Sequence, residues 1–131
     1  MGIDRVILID SDEEIRELFG EILSMASQQL LVFASYNDLS HQITRKQILL
    51  SANQLVFIEI NQDESFDLER WNEIIHRLHP AKVVAMTSFS TASFETILSS
   101  TGVEAVLSKP FRIEQIDKLL NSFFTLEACG T

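Results

Sequence analysis

The chain has 131 residues, one cysteine, 46% hydrophobic and 22% charged residues, and ten basic against 19 acidic side chains, for a formal net charge of −9. That length suits one domain with one core, and the composition excludes a disulfide-stapled scaffold, a thiolate zinc site and a wholly disordered chain. The acidity argues against direct contact with nucleic acid or anionic lipid; with no apolar run long enough to span a bilayer and no basic-then-apolar leader, the expected location is the cytoplasm.

Short apolar runs alternate with segments of helical period. Arg5 to Ile9 is almost continuously β-branched or leucine, as in a strand covered on both faces, and it ends at Asp10. Ser11-Asp12-Glu13-Glu14 suits a helix N-terminus, and Ile15, Leu18, Phe19, Ile22 and Leu23 then form one apolar stripe. Leu30 to Tyr36 predicts a second strand, Asn37-Asp38 a turn and cap, and Leu39 to Leu50 a helix of weak periodicity. Leu55 to Ile60 predicts a third buried strand, and Asn61 to Ser65 a polar loop. A helix from Leu68 to Leu78, with Trp71, Ile74 and Ile75 on its stripe, stops before Pro80. Lys82 to Thr87 is the fourth strand. The hydroxyl-rich stretch from Ser88 to Ser93 caps a short helix with Phe94, Ile97 and Leu98 facing inward. Gly102 stands where a left-handed helix terminus is expected. Ala105 to Leu107 is the fifth strand, and a last helix from Ile113 to Phe124 turns Ile113, Ile116, Leu119, Leu120 and Phe123 inward. Five βα units predict an α/β domain over residues 1–125, a parallel sheet with helices on both faces, followed by a tail from 126 to 131.

Ligand sites in such sheets gather at the carboxyl ends of the strands. Those ends carry Asp10, Glu59, Thr87 and Lys109. Two carboxylates, a hydroxyl and an ammonium are a donor set for a divalent cation or a phosphoryl group. Plainer roles stand beside that one. Asp10 can cap the following helix, Glu59 can form a structural ion pair with Lys109, and Thr87 can be an ordinary strand threonine. Lys109-Pro110 is a candidate cis peptide. The histidines, His41, His76 and His79, lie on helices or at their ends and read as surface residues. A glycine-rich phosphate loop and a nucleophile elbow are both missing from the sequence.

From Arg5 to Phe124 this pattern resembles the receiver domain of bacterial response regulators. The resemblance rests on Ile7-Leu8-Ile9-Asp10-Ser11-Asp12, on Leu55 through Ile60, on Val83 through Ser88, and most specifically on Leu107-Ser108-Lys109-Pro110-Phe111. It implies a flavodoxin-like sheet of strand order 2-1-3-4-5. It implies a phosphoacceptor aspartate ending strand three, magnesium-holding acids after strand one, phosphoryl contacts from Thr87 and Lys109, and a switch aromatic on strand five.

The chain departs from that pattern at its centre. Glu59 stands at the phosphoacceptor position, Ser11 at the second acid with Asp12 next to it, and Val106 at the switch aromatic. The expected magnesium set shrinks to Asp10, Glu59 and Asn61, which would hold the ion weakly, and no cofactor is required. The expectation is a non-enzymatic, phosphorylation-independent module of a phosphorelay, acting on a protein partner such as a histidine kinase, an output domain or another signalling protein. Homodimerisation through the face of the fourth helix, fifth strand and fifth helix is a further expectation. Two alternatives stay open: a working phosphoacceptor with an atypical site, using Asp10, Asp63 or Glu59, and a flavodoxin-like cofactor-binding enzyme.

Overall fold

The apolar runs become strands because each is covered on both sides, so the chain must supply a helix to either face of the sheet. The structure, a computed structural model, describes residues 3–25, 29–60, 66–88 and 91–129. In chain order it runs β1 (Arg5–Ile9), α1 (Glu13–Met25), β2 (Gln29–Phe33), α2 (Tyr36–Thr44), β3 (Gln54–Ile60), α3 (Leu68–Leu78), β4 (Lys82–Thr87), α4 (Ala92–Ser99), β5 (Ala105–Ser108) and α5 (Ile113–Cys129). The sheet order is β2-β1-β3-β4-β5, as the resemblance implies, and every pairing is parallel, as five βα units predict.

Strand alternation divides the core in two. Ile7, Ile9, Val56, Ile58, Val83 and Ala85 pack one face against Leu39 of α2, Trp71 and Leu78 of α3, and Phe94 and Leu98 of α4. Val6, Leu8, Leu55, Phe57, Val84 and Met86 pack the other against Phe19, Ile22 and Leu23 of α1 and Ile116 and Leu120 of α5. Phe19 meets Phe57 edge-on at 4.9 Å between ring centroids, tying α1 to the central strand.

Several boundaries differ from the sequence reading. β2 ends at Phe33, because Ser35 is already the N-cap of α2, its hydroxyl accepting from the Asp38 N–H. Asn37 and Asp38 therefore lie in the first helical turn. α2 ends at Thr44 rather than Leu50; Lys46 follows at φ 59°, and buried Ile48 anchors the return toward β3. α5 runs on to Cys129, because nothing after Phe124 interrupts a helix before Gly130. Ile97 and Ile113, expected inside, are 41% and 51% exposed. Gly102 does take a positive φ, 96°, and the Lys109–Pro110 peptide is cis. His79–Pro80 is a second cis bond that the sequence reading did not single out.

The register sets the place of the site. β1 neighbours β2 on one side and β3 on the other, so the chain reverses its direction of travel across the sheet between β1 and β3. The loops leaving these two strands diverge, and a crevice opens outside their carboxyl ends.

Candidate functional site

Asp10, one residue past β1, is fully buried. Its Oδ1 accepts from the Asp12 N–H at 2.8 Å, and its own N–H continues the sheet by donating to the Phe33 carbonyl. Glu59 is the penultimate residue of β3, and its carboxylate is fully engaged. Oε1 accepts from the Ser11 N–H at 3.2 Å and the Ser11 hydroxyl at 2.9 Å, while Oε2 accepts from Lys109 Nζ at 2.8 Å. The same ammonium lies 2.8 Å from Asp10 Oδ2. Asp10 Oδ2 has no well-aligned hydrogen-bond donor, so the ammonium charge itself is its compensation. Lys109 thus bridges the carboxylates of β1 and β3 from the far side of the sheet.

The bridge has a structural cause. The Lys109 N–H donates to the Thr87 carbonyl at 2.7 Å, extending the β4–β5 ladder by one residue. This fixes the backbone from which the side chain reaches back over β4. Thr87 is itself buried at the end of β4, paired in register with Ile60 and Ser108.

The three charges do not titrate alike. Burial pushes Asp10 above the usual aspartate range, with the Glu59 charge adding to the effect; the lysine and the Asp12 N–H only partly offset it. Burial pushes Glu59 upward too, but the Lys109 and Ser11 hydrogen bonds outweigh it and hold Glu59 below its ordinary value. Burial works against the Lys109 ammonium, yet its two carboxylate partners raise it. The arrangement is two acids clasped on one cation.

The other residues singled out from the sequence are placed as follows. Asp12 is exposed and turned to the start of α1, where its carboxylate accepts from the Glu14 N–H at 2.9 Å. Val106 is half-buried on β5. Asn61 and Asp63 lie outside the described residues. The histidines are exposed, and among the described residues no three histidine, cysteine or acidic side chains gather in a metal-binding group. Two contacts escaped the sequence reading. One is the double donation from Ser11 to Glu59; the other is Arg16, whose guanidinium donates to the Asp10 carbonyl at 2.9 Å. Arg16 stands one helical turn into α1, and that spacing was the available signal.

The side chains of Asp10 and Glu59 are a poor fit to a magnesium ion. Such a cation takes free carboxylate oxygens in near-octahedral geometry. Here Asp10 Oδ2 and Glu59 Oε2 face the lysine, Glu59 Oε1 faces Ser11, and a serine stands beside Asp10 where a second acid would serve. The ammonium fills the place between the two carboxylates.

Architecture and site together can be set beside known proteins. The structure superposes on a response regulator from Thermotoga maritima with a TM-score of 0.74 at 15% identity, covering 92% of this chain and 97% of that one. A beryllofluoride-activated NtrC4 receiver domain dimer gives 0.74 at 15% identity over 94% and 98%. A two-component response regulator from Clostridium difficile gives 0.74 at 15% over 92% and 95%. The fold is that of a response-regulator receiver domain. In sequence, the receiver-fold chain is 26% identical over 106 residues to the transcriptional regulatory protein GltR of Pseudomonas aeruginosa. That match covers 81% of this chain but 43% of GltR, so the receiver fold here spans less than half the length of the curated relative it matches. No family model matches the sequence.

Proposed function

We propose that this receiver-fold domain is a signalling module of a two-component or phosphorelay system that works without phosphorylation, through contact with another protein. One observation carries the reading: both oxygens of Glu59 are engaged, one by Ser11 and one by a lysine that also neutralises Asp10. Aspartyl phosphotransfer needs a free carboxylate oxygen in line with the incoming group and a cation to offset its charge. Glu59 sets its carboxylate one methylene further out than an aspartate would, and the ammonium already occupies the neighbouring charge position. Misplacement on that scale costs on the order of a hundredfold in rate. The module is therefore a binding domain rather than an enzyme, with magnesium at most weakly held. Its partner is a protein such as a histidine kinase, an output domain or another regulator. Exposed Ile97 on α4 and Ile113 on α5, the helices flanking β5, offer apolar contacts for a partner or a second copy.

Intact mass after incubation with acetyl phosphate and magnesium tests this, with Glu59→Asp run in parallel. The native chain is expected to gain no phosphate. A stoichiometric adduct on the native chain would overturn the reading.

A further inference from the structure

Beside the charged centre, and sharing Ser11 and Glu59 with it, is a cavity of about 420 Å³ at the β1–β3 crevice. Its size falls within the range of about 300–1,000 Å³ typical of small-ligand sites, and it lies where open parallel sheets bind ligands. Tyr36, Phe66, Trp71 and Ile74 form its apolar walls, Glu59 lies at one end, and Arg70 also lines it. The walls are braced from behind. The Trp71 indole N–H donates to Thr101 Oγ1 at 3.0 Å, and Phe66 meets Phe94 edge-on at 5.0 Å.

The polar groups of the lining are almost all engaged. Glu59 is held by Ser11 and Lys109, the Ser35 hydroxyl caps α2, and the Asp67 carboxylate accepts from the Glu69 and Arg70 N–H groups at the start of α3. The exceptions are the Tyr36 hydroxyl and the Arg70 guanidinium, neither of which has a hydrogen-bond partner among the described residues. A planar fork of N–H donors over an aromatic-walled cavity matches a carboxylate carried on a flat ring.

We infer that this cavity is a binding site for a small planar aromatic carboxylate, with the ring against Tyr36 and Trp71 and the carboxylate on Arg70. The inference goes beyond the reading of Glu59 and stands or falls separately, since its test involves no phosphate. Occupancy would reach the charged centre directly, because Glu59 belongs to both.

The test is a titration of the full chain with 2-naphthoate, followed by two-dimensional amide NMR. The neutral 2-naphthamide and the cationic 2-naphthylmethylammonium serve as comparisons. Trp71 is the sole tryptophan, so its indole N–H, bonded to Thr101 behind the wall, gives a single assignable signal from a ring that lines the cavity. The expected result is saturable movement of that signal and of the α2 and α3 amides, with a dissociation constant of about 1 mM or tighter. Arg70→Gln, a change on an exposed side chain, should weaken naphthoate about tenfold and leave the amide compound unaffected. Three results would overturn the inference: no saturable shift, shifts centred away from α2 and α3, or equal or tighter binding of the neutral or cationic compound.

Discussion

At the scale of residues, the centre turns on one ammonium shared by two acids of unequal standing. Asp10 is the strained partner, fully buried and raised by that burial; Glu59 is the satisfied one, lowered by Lys109 and Ser11 despite its burial. A carboxyl whose folded value is depressed binds fewer protons folded than unfolded near its ordinary value of 4.5. Its contribution is therefore present above that pH and is lost as the pH falls through the folded value. Glu59→Gln keeps the shape and removes the charge. It should lower stability at neutral pH by about 1–2 kcal/mol, the scale of a charge-assisted hydrogen bond partly offset by relief of Asp10. The gap between the two proteins should close as the pH drops below 4.5, where native Glu59 also takes up its proton. Urea titrations of both at a series of pH values measure this, and a gap independent of pH would show that the Glu59 charge contributes nothing. Asp10 runs the other way: its burial costs nothing below its ordinary value of 3.8, and the cost appears as the pH rises through the raised folded value.

At the scale of elements, two glycines separate backbone effects from packing. A Cβ would meet nothing within 4 Å at either Gly20 or Gly102. Gly20 lies inside α1, where alanine is the better helix former, so Gly20→Ala should stabilise by about 0.5–1 kcal/mol. Gly102 sits at φ 96° between α4 and β5, a conformation that L side chains avoid. Gly102→Ala should therefore destabilise by about 1 kcal/mol or more. Opposite signs in chemical denaturation are expected; the same sign for both would mean that space, not backbone, governs them. The element boundaries follow the same local logic. Asp67 and Thr91 cap α3 and α4 through their own side chains, whereas the early start of α2 depended on recognising Ser35 rather than Asn37-Asp38 as the cap.

At the scale of the whole molecule, one sheet joins two cores that are not equally reported on. Trp71 sees only the face covered by α2, α3 and α4; helical circular dichroism sees both faces. Because the strands belong to both cores, urea should unfold them together, with coincident transitions by Trp71 fluorescence and circular dichroism. A Trp71 transition at lower urea would show that the two faces open separately.

Much of this was legible in the sequence. The five apolar runs, the positive φ of Gly102, and the gathering of Asp10, Glu59, Thr87 and Lys109 at one end of a parallel sheet follow from periodicity, turn chemistry and the rule placing sites at strand ends. An ion pair between Glu59 and Lys109 was also available as a plain reading of two opposite charges at those ends. What only the tertiary structure decided is how those charges are shared. That Lys109 takes Asp10 as well as Glu59, that Ser11 turns both its donors onto Glu59, and that Tyr36 and Trp71 wall a cavity beside them depend on side-chain reach across strands. The exposure of Ile97 and Ile113 was decided there too, because a helical stripe marks which residues can face inward but not how far the neighbouring elements extend to cover them. Periodicity is a property of one segment, whereas sharing a cation between residues 10, 59 and 109 is a property of the packed sheet.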